Sequence, residues 1–390
     1  MTRKGKMPTH IQPKTFHHPQ EDLRIIQILN AVPDPRKPSC NFQYSLTSIL
    51  FIIVVAVLCG ADDWVGIAEL AISMKDWLGQ FVDVSSGIPS ACTMERVLSL
   101  IDPEAMEGML IEAMKILTQK AGGIVSFDGK SLRGSLDESK KAIHLLNAWS
   151  AENKICIGHK KVDEKSNEIT AMPELMDLLD LRGTIITADA LNTQKTIARK
   201  AIEKGADYIL PVKGNHKSLL EDIECIFKDA EKRDFKGIDS DEYETLEKSR
   251  GRVEKRLYRS ICVDELPNKS DWEGVKSLGM VQRERTEKGK TAQEKVFYIS
   301  SCEIDAQLFA RGVREHWQVE NGLHWSLDVI LREDKQRYRD RVGARNLAVV
   351  RKIVLGALGK DKTRKCGRAN KRLLAACDSD FRKSILKNLF

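Results

Sequence analysis

Three carboxylates, Asp128, Asp189 and Glu320, are the residues whose types and placement could do chemistry. Asp128 follows the apolar run Ile124-Val125-Ser126-Phe127, and Asp189 follows Thr184-Ile185-Ile186-Thr187-Ala188. Glu320 lies in the stretch from Arg311 to Asp334, among His316, His324, Trp317 and Trp325. Hard divalent cations such as Mg²⁺ prefer oxygen ligands and keep positions open for water and phosphate. Two such ions roughly 3.5–4 Å apart activate an attacking oxygen and stabilise a leaving one. That chemistry needs converging carboxylates, not a contiguous motif. Each aspartate also has a plainer reading: Asp128-Gly129 as a hairpin turn, and Asp189 as the N-cap of a helix beginning near Thr193.

Other chemistries find no support. Asp128-Gly129-Lys130-Ser131 has the ending of a phosphate-binding P-loop, but Ile124 stands where the first glycine is required. No GxGxxG follows a strand, and HExxH is absent. Ser131 and Ser135 have no identifiable base, and His17-His18 have no further ligands nearby.

The elements that must position the carboxylates follow from periodicity. Val313, Trp317, Val319, Leu323, Leu327 and Ile330 recur at helical spacing, predicting one helix over 311–334 with these residues inward. His316, Glu320, His324 and Asp328, each four apart, then share another stripe. Strands are expected at Ile124–Phe127, Ala142–Trp149, Lys154–His159, Thr184–Ala188 and Tyr208–Val212, and helices at Met172–Leu181, Thr193–Lys204 and Lys217–Ala230. Side chains at strand ends in open α/β sheets reach solvent on a fixed scaffold, which favours Asp128, Asp189 and Lys213 as functional groups. Residues 21–120 read as a small helical domain, with Asp62 the N-cap of a helix whose apolar face is Ile67, Leu70, Ala71, Met74 and Leu78. Residues 1–20 read as a disordered lead-in.

Over 390 residues, 42% hydrophobic and 31% charged side chains are ordinary for a soluble globular protein. The apolar run Ile49–Cys59 is short for a membrane span, which needs about 20 residues. Nine scattered cysteines without a CxxC pair fit a reducing cytoplasm. The net charge of +7 concentrates between Lys335 and Arg372, with fourteen Lys/Arg against Asp340 and Asp361. Such a block predicts a polyanion partner, unless it is only a solvated face.

Four blocks occur in order: FDGKSLRGS, SNEITAMPELMDLLDLRGTIITADALNTQ, GADYILPVKGNH and REHWQVENGLHWSLDVILRED. Together they resemble the DDE transposases of bacterial insertion sequences, in the branch of the H-repeat-associated proteins of Rhs elements. VPDPRK and the helices after it are similar to that branch's leader domain. The resemblance implies an α/β fold: a ribonuclease H-like catalytic core at 121–238 and 301–358, a β-rich insertion at 239–300, the helical domain ahead of it as a possible DNA-end binder, and a basic C-terminal tail at 359–390. It puts the family's metal-binding acids on Asp128, Asp189 and Glu320, holding Mg²⁺ or Mn²⁺, two ions in all, with His316, Asn321, His324 and Asp328 around them.

Double-stranded DNA, as element ends and target, is the implied partner, with a homodimer on DNA and a cytoplasmic, nucleoid-associated location. The tyrosine, arginine and lysine that accompany the glutamate in related enzymes are replaced by Val313, His316 and Leu327. Contacts to DNA then fall to Lys130, Lys213, Arg314, Lys335, Arg337, Arg341, Arg345, Arg364 and Lys365, with His316 a further substitute. The activity implied is metal-dependent DNA cleavage and strand transfer. A nuclease without strand transfer and a non-catalytic DNA-binding repressor are the competing readings.

Overall fold

The computed structural model describes residues 23–37, 42–118, 121–137, 140–163, 167–249, 252–287 and 290–388; the expected lead-in at 1–20 lies outside them. The chain opens with α1 (Arg24–Asn30), α2 (Leu46–Leu58), α3 (Trp64–Ser73), α4 (Lys75–Leu78), α5 (Ala91–Leu100) and α6 (Pro103–Thr118). There follow β1 (Ile124–Leu132), β2 (Ile143–Ser150), β3 (Ile155–Val162), α7 (Glu168–Leu178), β4 (Ile185–Ala188), α8 (Lys195–Glu203), β5 (Asp207–Val212) and α9 (Lys217–Lys232). The strands β6 (Ser240–Ser249), β7 (Arg252–Cys262), β8 (Ser277–Glu287) and β9 (Lys290–Ser300) precede α10 (Ala306–His316). After a π-helical stretch come α11 (Arg341–Lys360), α12 (Arg368–Cys377) and α13 (Ser379–Asn388). Two units result, one of residues 118–328 and one of 1–117 with 329–390.

The first unit is built on a nine-stranded sheet in the order β3-β2-β1-β4-β5-β9-β8-β7-β6. β1, β4 and β5 run parallel, while β2, β3 and β6–β9 pair antiparallel. Residues 239–300, expected as a β-rich insertion, carry β6–β9 and extend this same sheet, because β9 pairs with β5 from Ile209↔Ser300 to Val212↔Phe297. α10 lies on the sheet through Phe309, Ala310 and Val313, which pack with Ile209, Tyr258 and Val281. Burying each large side chain of this kind is worth roughly 1.5–3 kcal/mol.

The helical unit folds around α2, whose residues from Ile49 to Leu58 are all buried. No helix among the described residues is long and apolar enough to cross a membrane. The N-cap of α3 is Asp63, which accepts from the Gly66 N–H at 2.7 Å, and not Asp62 as the sequence suggested. Asp62 instead accepts from Arg372 Nη2 at 2.9 Å.

Residues 359–390 are not a tail. Residues 368–377 and 379–388 form α12 and α13, and with α11 they fall in the helical unit. Arg372 explains why: its guanidinium also donates to the carbonyls of Val57, Ala61 and Ile330 at 2.7–3.0 Å. A charge that caps this many buried carbonyls is part of the core.

Candidate active site

The register of two strands places the aspartates. β1 and β4 pair in parallel through Ser126↔Thr187 and Phe127↔Ala188, and β4 then stops. β1 continues past Asp128 to Leu132 because β2 still pairs with it on the other side, Asp128 facing Asn147. Asp128 is therefore inside a strand and not at its end, and Asp128-Gly129 is no hairpin turn. It sits where the parallel neighbour has ended, one step along from the last β1–β4 pair, with Asp189 the first residue after β4.

Side chains two apart on a strand share a face. Ser126 and Thr187, one alternation before the two aspartates, mark theirs: Thr187 Oγ1 donates to Ser126 Oγ at 3.0 Å and meets His316 Nδ1 at 3.2 Å. His316, the last residue of α10, thus sits over the aspartate-bearing face.

The expected single helix over 311–334 is corrected. α10 ends at His316, and Val319–His324 and Ser326–Ile330 are π-helical. Wider turns of this kind recur at functional sites. The apolar residues that stay buried here, Val319, Leu323, Leu327 and Leu331, are spaced by a strict four, longer than the α-helical 3.6. Trp317, expected to pack inward, is 56% exposed, and Trp325 is 54% exposed. Gly322 brings this stretch against the sheet, since a Cβ there would lie 2.7 Å from the buried Trp149 ring. Glu320 precedes this contact by two residues and is exposed.

The carboxylates feel one another. Burial, together with the nearby charges of Glu168, Glu320 and Asp189, pushes the Asp128 carboxyl up to about 7 against one hydrogen bond from the Gly129 N–H. Asp189 is raised too, by burial and by Glu168, although the Asn192 and Leu191 N–H groups and the Asn192 side chain oppose the shift. Asp189 does act as a cap, but of the short 3₁₀ turn Ala190–Asn192 and not of α8.

Asp128 and Asp189 are desolvated carboxylates whose charge is disfavoured, and a divalent cation between them would relieve both. Among the described residues no group of three or more His, Cys, Asp or Glu side chains is already gathered closely enough to hold a metal ion.

The residues expected around the acids divide. His324 Nδ1 lies 3.5 Å from Asp128 Oδ2. Asp328 pairs with Lys130 at 2.7 Å, and with only 8% exposure Lys130 is tied down, not presented to DNA. Burial lowers His316 to about 4, so it is a neutral packing residue and no substitute for a DNA-binding cation. Asn321 is exposed, its side chain donating to the Trp317 carbonyl at 3.4 Å. Beside Asp189 opens a cavity of about 630 Å³, whose walls include Lys213, Arg256, Arg283, Arg314, Trp317 and Asn321. Lys213 is exposed there, whereas Arg314 is held by Glu247 at 2.5 Å.

In the helical unit the basic block is also divided. Arg345 is paired with Glu107 at 2.8 Å and Lys371 with Asp361 at 2.9 Å. Burial opposes the charge on Asp361, but hydrogen bonds from Thr363 and Lys371 hold its carboxyl below the usual range. Lys335, Arg337, Arg364 and Lys365 are exposed, Arg364 lying 3.7 Å from Asp378, and Arg341 is half-buried.

Sequence reasoning missed Glu168, His144 and Asn192. α7 begins at Glu168, four residues before the expected start, because the Asn167 side chain accepts from the Ile169 N–H. Glu168 Oε1 meets His144 Nε2 at 2.7 Å, and His144 Nδ1 meets Ser131 Oγ at 3.1 Å, so Ser131 does have a histidine beside it. Asn192 Nδ2 donates to Glu168 Oε2 and to Asp189 Oδ1, both at 2.8 Å. Asn167-Glu168 at a helix start was the available signal. Ser135, by contrast, is buried and bonded to the backbone of Leu132 and Ile143.

Comparison with known proteins bears directly on this surface. Residues 119–356 match the family described as "Transposase DDE domain", and residues 26–114 match the one described as "DDE_Tnp_1-associated". "Putative transposase YncI" of Escherichia coli O157:H7 is 37% identical over 386 residues, covering 94% of this chain and 98% of the relative. "H repeat-associated putative transposase YhhI" of E. coli K12 is 36% identical over 375 residues, covering 93% and 97%. Among solved structures, a piggyBac transposase synaptic complex with hairpin DNA aligns over 93% of this chain and 78% of its own, at 12% identity and a TM-score of 0.42, a likeness too loose to bear on fold or function. Two family matches that together span most of the chain, and relatives matched along nearly their whole length, place it: the chain belongs to the DDE transposase family, and its function is that of a DNA transposase.

Proposed function

We propose that Asp128, Asp189 and Glu320 are the catalytic carboxylates of this transposase and that they hold two Mg²⁺ ions, or Mn²⁺ in their place. The observation that carries the reading is the β1–β4 register. It sets the two aspartates side by side at the point where β4 ends, on the face where α10 delivers His316 to Thr187 and the π-helical stretch follows with Glu320. Crowding of these acids supports a cation between them. The ribonuclease H-like reading of the core rests on family membership, and a mixed sheet with its aspartates on adjacent parallel strands supports it.

When bound, the ions supply Lewis-acid activation of the attacking oxygen and charge stabilisation of the leaving one. The chain's own residues do the rest. Asp128 is held by the strand, Asp189 by its turn and by Asn192, and Glu320 by the seating of Gly322 on Trp149. Lys213, exposed on the wall of the cavity beside Asp189, contacts a DNA phosphate. In the first reaction water attacks a phosphorus at the element end and the bond to the 3′ oxygen breaks. The freed 3′-hydroxyl then attacks a target phosphorus in line, forming a new phosphodiester as the bond from that phosphorus to the target's own 3′ oxygen breaks. Two ends must be joined, so the DNA-bound form is a homodimer.

The test is incubation of the protein with duplexes carrying its own element's ends and Mg²⁺ or Mn²⁺, followed by addition of target DNA. Cleavage and joining are expected from the wild type, and neither from Asp128→Asn, Asp189→Asn or Glu320→Gln. Cleavage that survives all three substitutions contradicts the site, and cleavage without joining marks a nuclease.

A further inference from the structure

A fourth acid approaches the site from behind. Gly129 and Ser131 alternate with Asp128 and Lys130 along β1, so they project from the opposite face of the sheet. On that face the Glu168 carboxylate lies against Gly129. A Cβ at residue 129 would sit 2.1 Å from Glu168 Oε1 and 2.4 Å from His144 Nε2, so only glycine admits the pair. The termination of β4 at Ala188 opens the way, since no strand covers β1 beyond Phe127 on that side.

Both carboxylate oxygens of Glu168 are engaged. Oε1 takes the His144 ring, itself braced by Ser131, and Oε2 takes the Asn192 amide. The same amide nitrogen donates to Asp189 Oδ1, while the Asn192 backbone N–H donates to that oxygen at 3.1 Å. Asn192 has no exposed surface, so its amide is fixed between two carboxylates. A continuous chain therefore runs from Ser131 on β1 through His144 on β2, Glu168 on α7 and Asn192 to Asp189. It ties the second aspartate to the strand that carries the first.

We infer that Glu168 is a positioning residue of the transposase reaction: through Asn192 it fixes the Asp189 carboxylate, and its own charge deepens the negative potential into which a divalent cation binds. Glu168 touches neither substrate nor the reacting atoms in this role. Partners of metal-ligating carboxylates commonly matter by about 10–100-fold in metal affinity or activity. The inference rests on the proposed assignment of Asp189 as a metal ligand, and the experiment separates the two.

The experiment reads metal binding without turnover, as the rise in unfolding midpoint when Mn²⁺ or Ca²⁺ is added to the DNA-free full-length protein, beside kcat and KM for end cleavage. In the wild type, a cation well above its dissociation constant raises the midpoint by roughly 5 °C. Glu168→Gln is expected to lose at least half of that rise and about tenfold or more in kcat, with KM for DNA within about twofold of wild type. Glu168→Asp keeps the charge and is expected to recover part of the lost rise.

An undiminished rise in Glu168→Gln overturns the role of Glu168 while leaving the metal reading standing. So does a lowered metal-free midpoint accompanied by a normal metal response, which marks a purely structural residue. Equal loss in the Gln and Asp variants contradicts a role for the charge. A wild type that shows no metal-induced rise overturns both this inference and the assignment beneath it.

Discussion

Two charged regions of this protein behave in opposite ways. At the end of β4 acids outnumber bases: Glu168 is paired with His144, while Asp128 and Asp189 are both raised, Asp128 to about 7 by burial and the charges of Glu168, Glu320 and Asp189. In the stretch from Lys335 to Arg372, cations abound, yet several are consumed internally by Glu107, Asp361, Asp62 and backbone carbonyls. The charge census made the second region look the more functional. On the proposed assignment, unbalanced charge, more than abundant charge, is what attracts a ligand.

The sharpest way to break the contrast is to remove the acids. Asp128→Asn, Asp189→Asn and Glu320→Gln are each expected to lower end cleavage by roughly 10³-fold or more, the equivalent of several kcal/mol of transition-state stabilisation. Circular dichroism and the metal-free unfolding midpoint should stay at or above wild-type values. A matching collapse of the fold in all three variants would make the acids structural and erase the contrast.

The glycines that seat the site come next. Gly129→Ala drives a methyl into Glu168 and His144, and Gly322→Ala drives one into Trp149. Displacing positioned groups by about 1 Å can cost about 10²-fold, so each variant is expected to lose about 10–100-fold in kcat and little in DNA affinity. Steady-state kinetics on a cleaved end duplex read this directly.

For the basic stretch, Arg372→Ala leaves Asp62 and three buried carbonyls short of a donor, and a loss of about 3–5 kcal/mol in denaturant unfolding of the helical unit is expected. Exposed Lys335, Arg337 and Lys365 should behave differently. Alanine at each lowers DNA affinity across all sequences and reduces the salt slope of binding by about 1, with stability unchanged. Equal stability losses from both groups would show that the exposed cations are structural as well.

The smallest effect concerns acid. His316 is held near 4 by burial, below the unfolded value of about 6.5. A base whose folded pKa is depressed favours the unfolded chain once protonated. Its penalty is absent above pH 6.5 and grows as the pH falls toward 4. His316→Asn should therefore flatten part of the fall in unfolding midpoint between pH 6.5 and 4, by roughly 5 °C or less.

How much was legible beforehand depended on whether the signal was local. The strands around Asp128 and Asp189 announced themselves as apolar runs, and the three acids could be named. Glu168 could not, because its importance comes from where α7 begins and from a gap left when β4 ends, neither of which is written in a short window. The π-helical stretch was hidden for a related reason: a spacing of four is compatible with an ordinary helix until Trp317 and Trp325 are seen outside it. The pairing inside the basic block was not legible because partners such as Glu107 and Asp62 lie more than 200 residues away in sequence.

The central claim is that Asp128, Asp189 and Glu320 hold the divalent ions. Counting bound Mn²⁺ by electron paramagnetic resonance, on the wild type and the three carboxylate variants in complex with cleaved end DNA, tests it most directly. The account predicts two ions per active site in the wild type and the loss of at least one in every variant. Full occupancy in all three variants would contradict it.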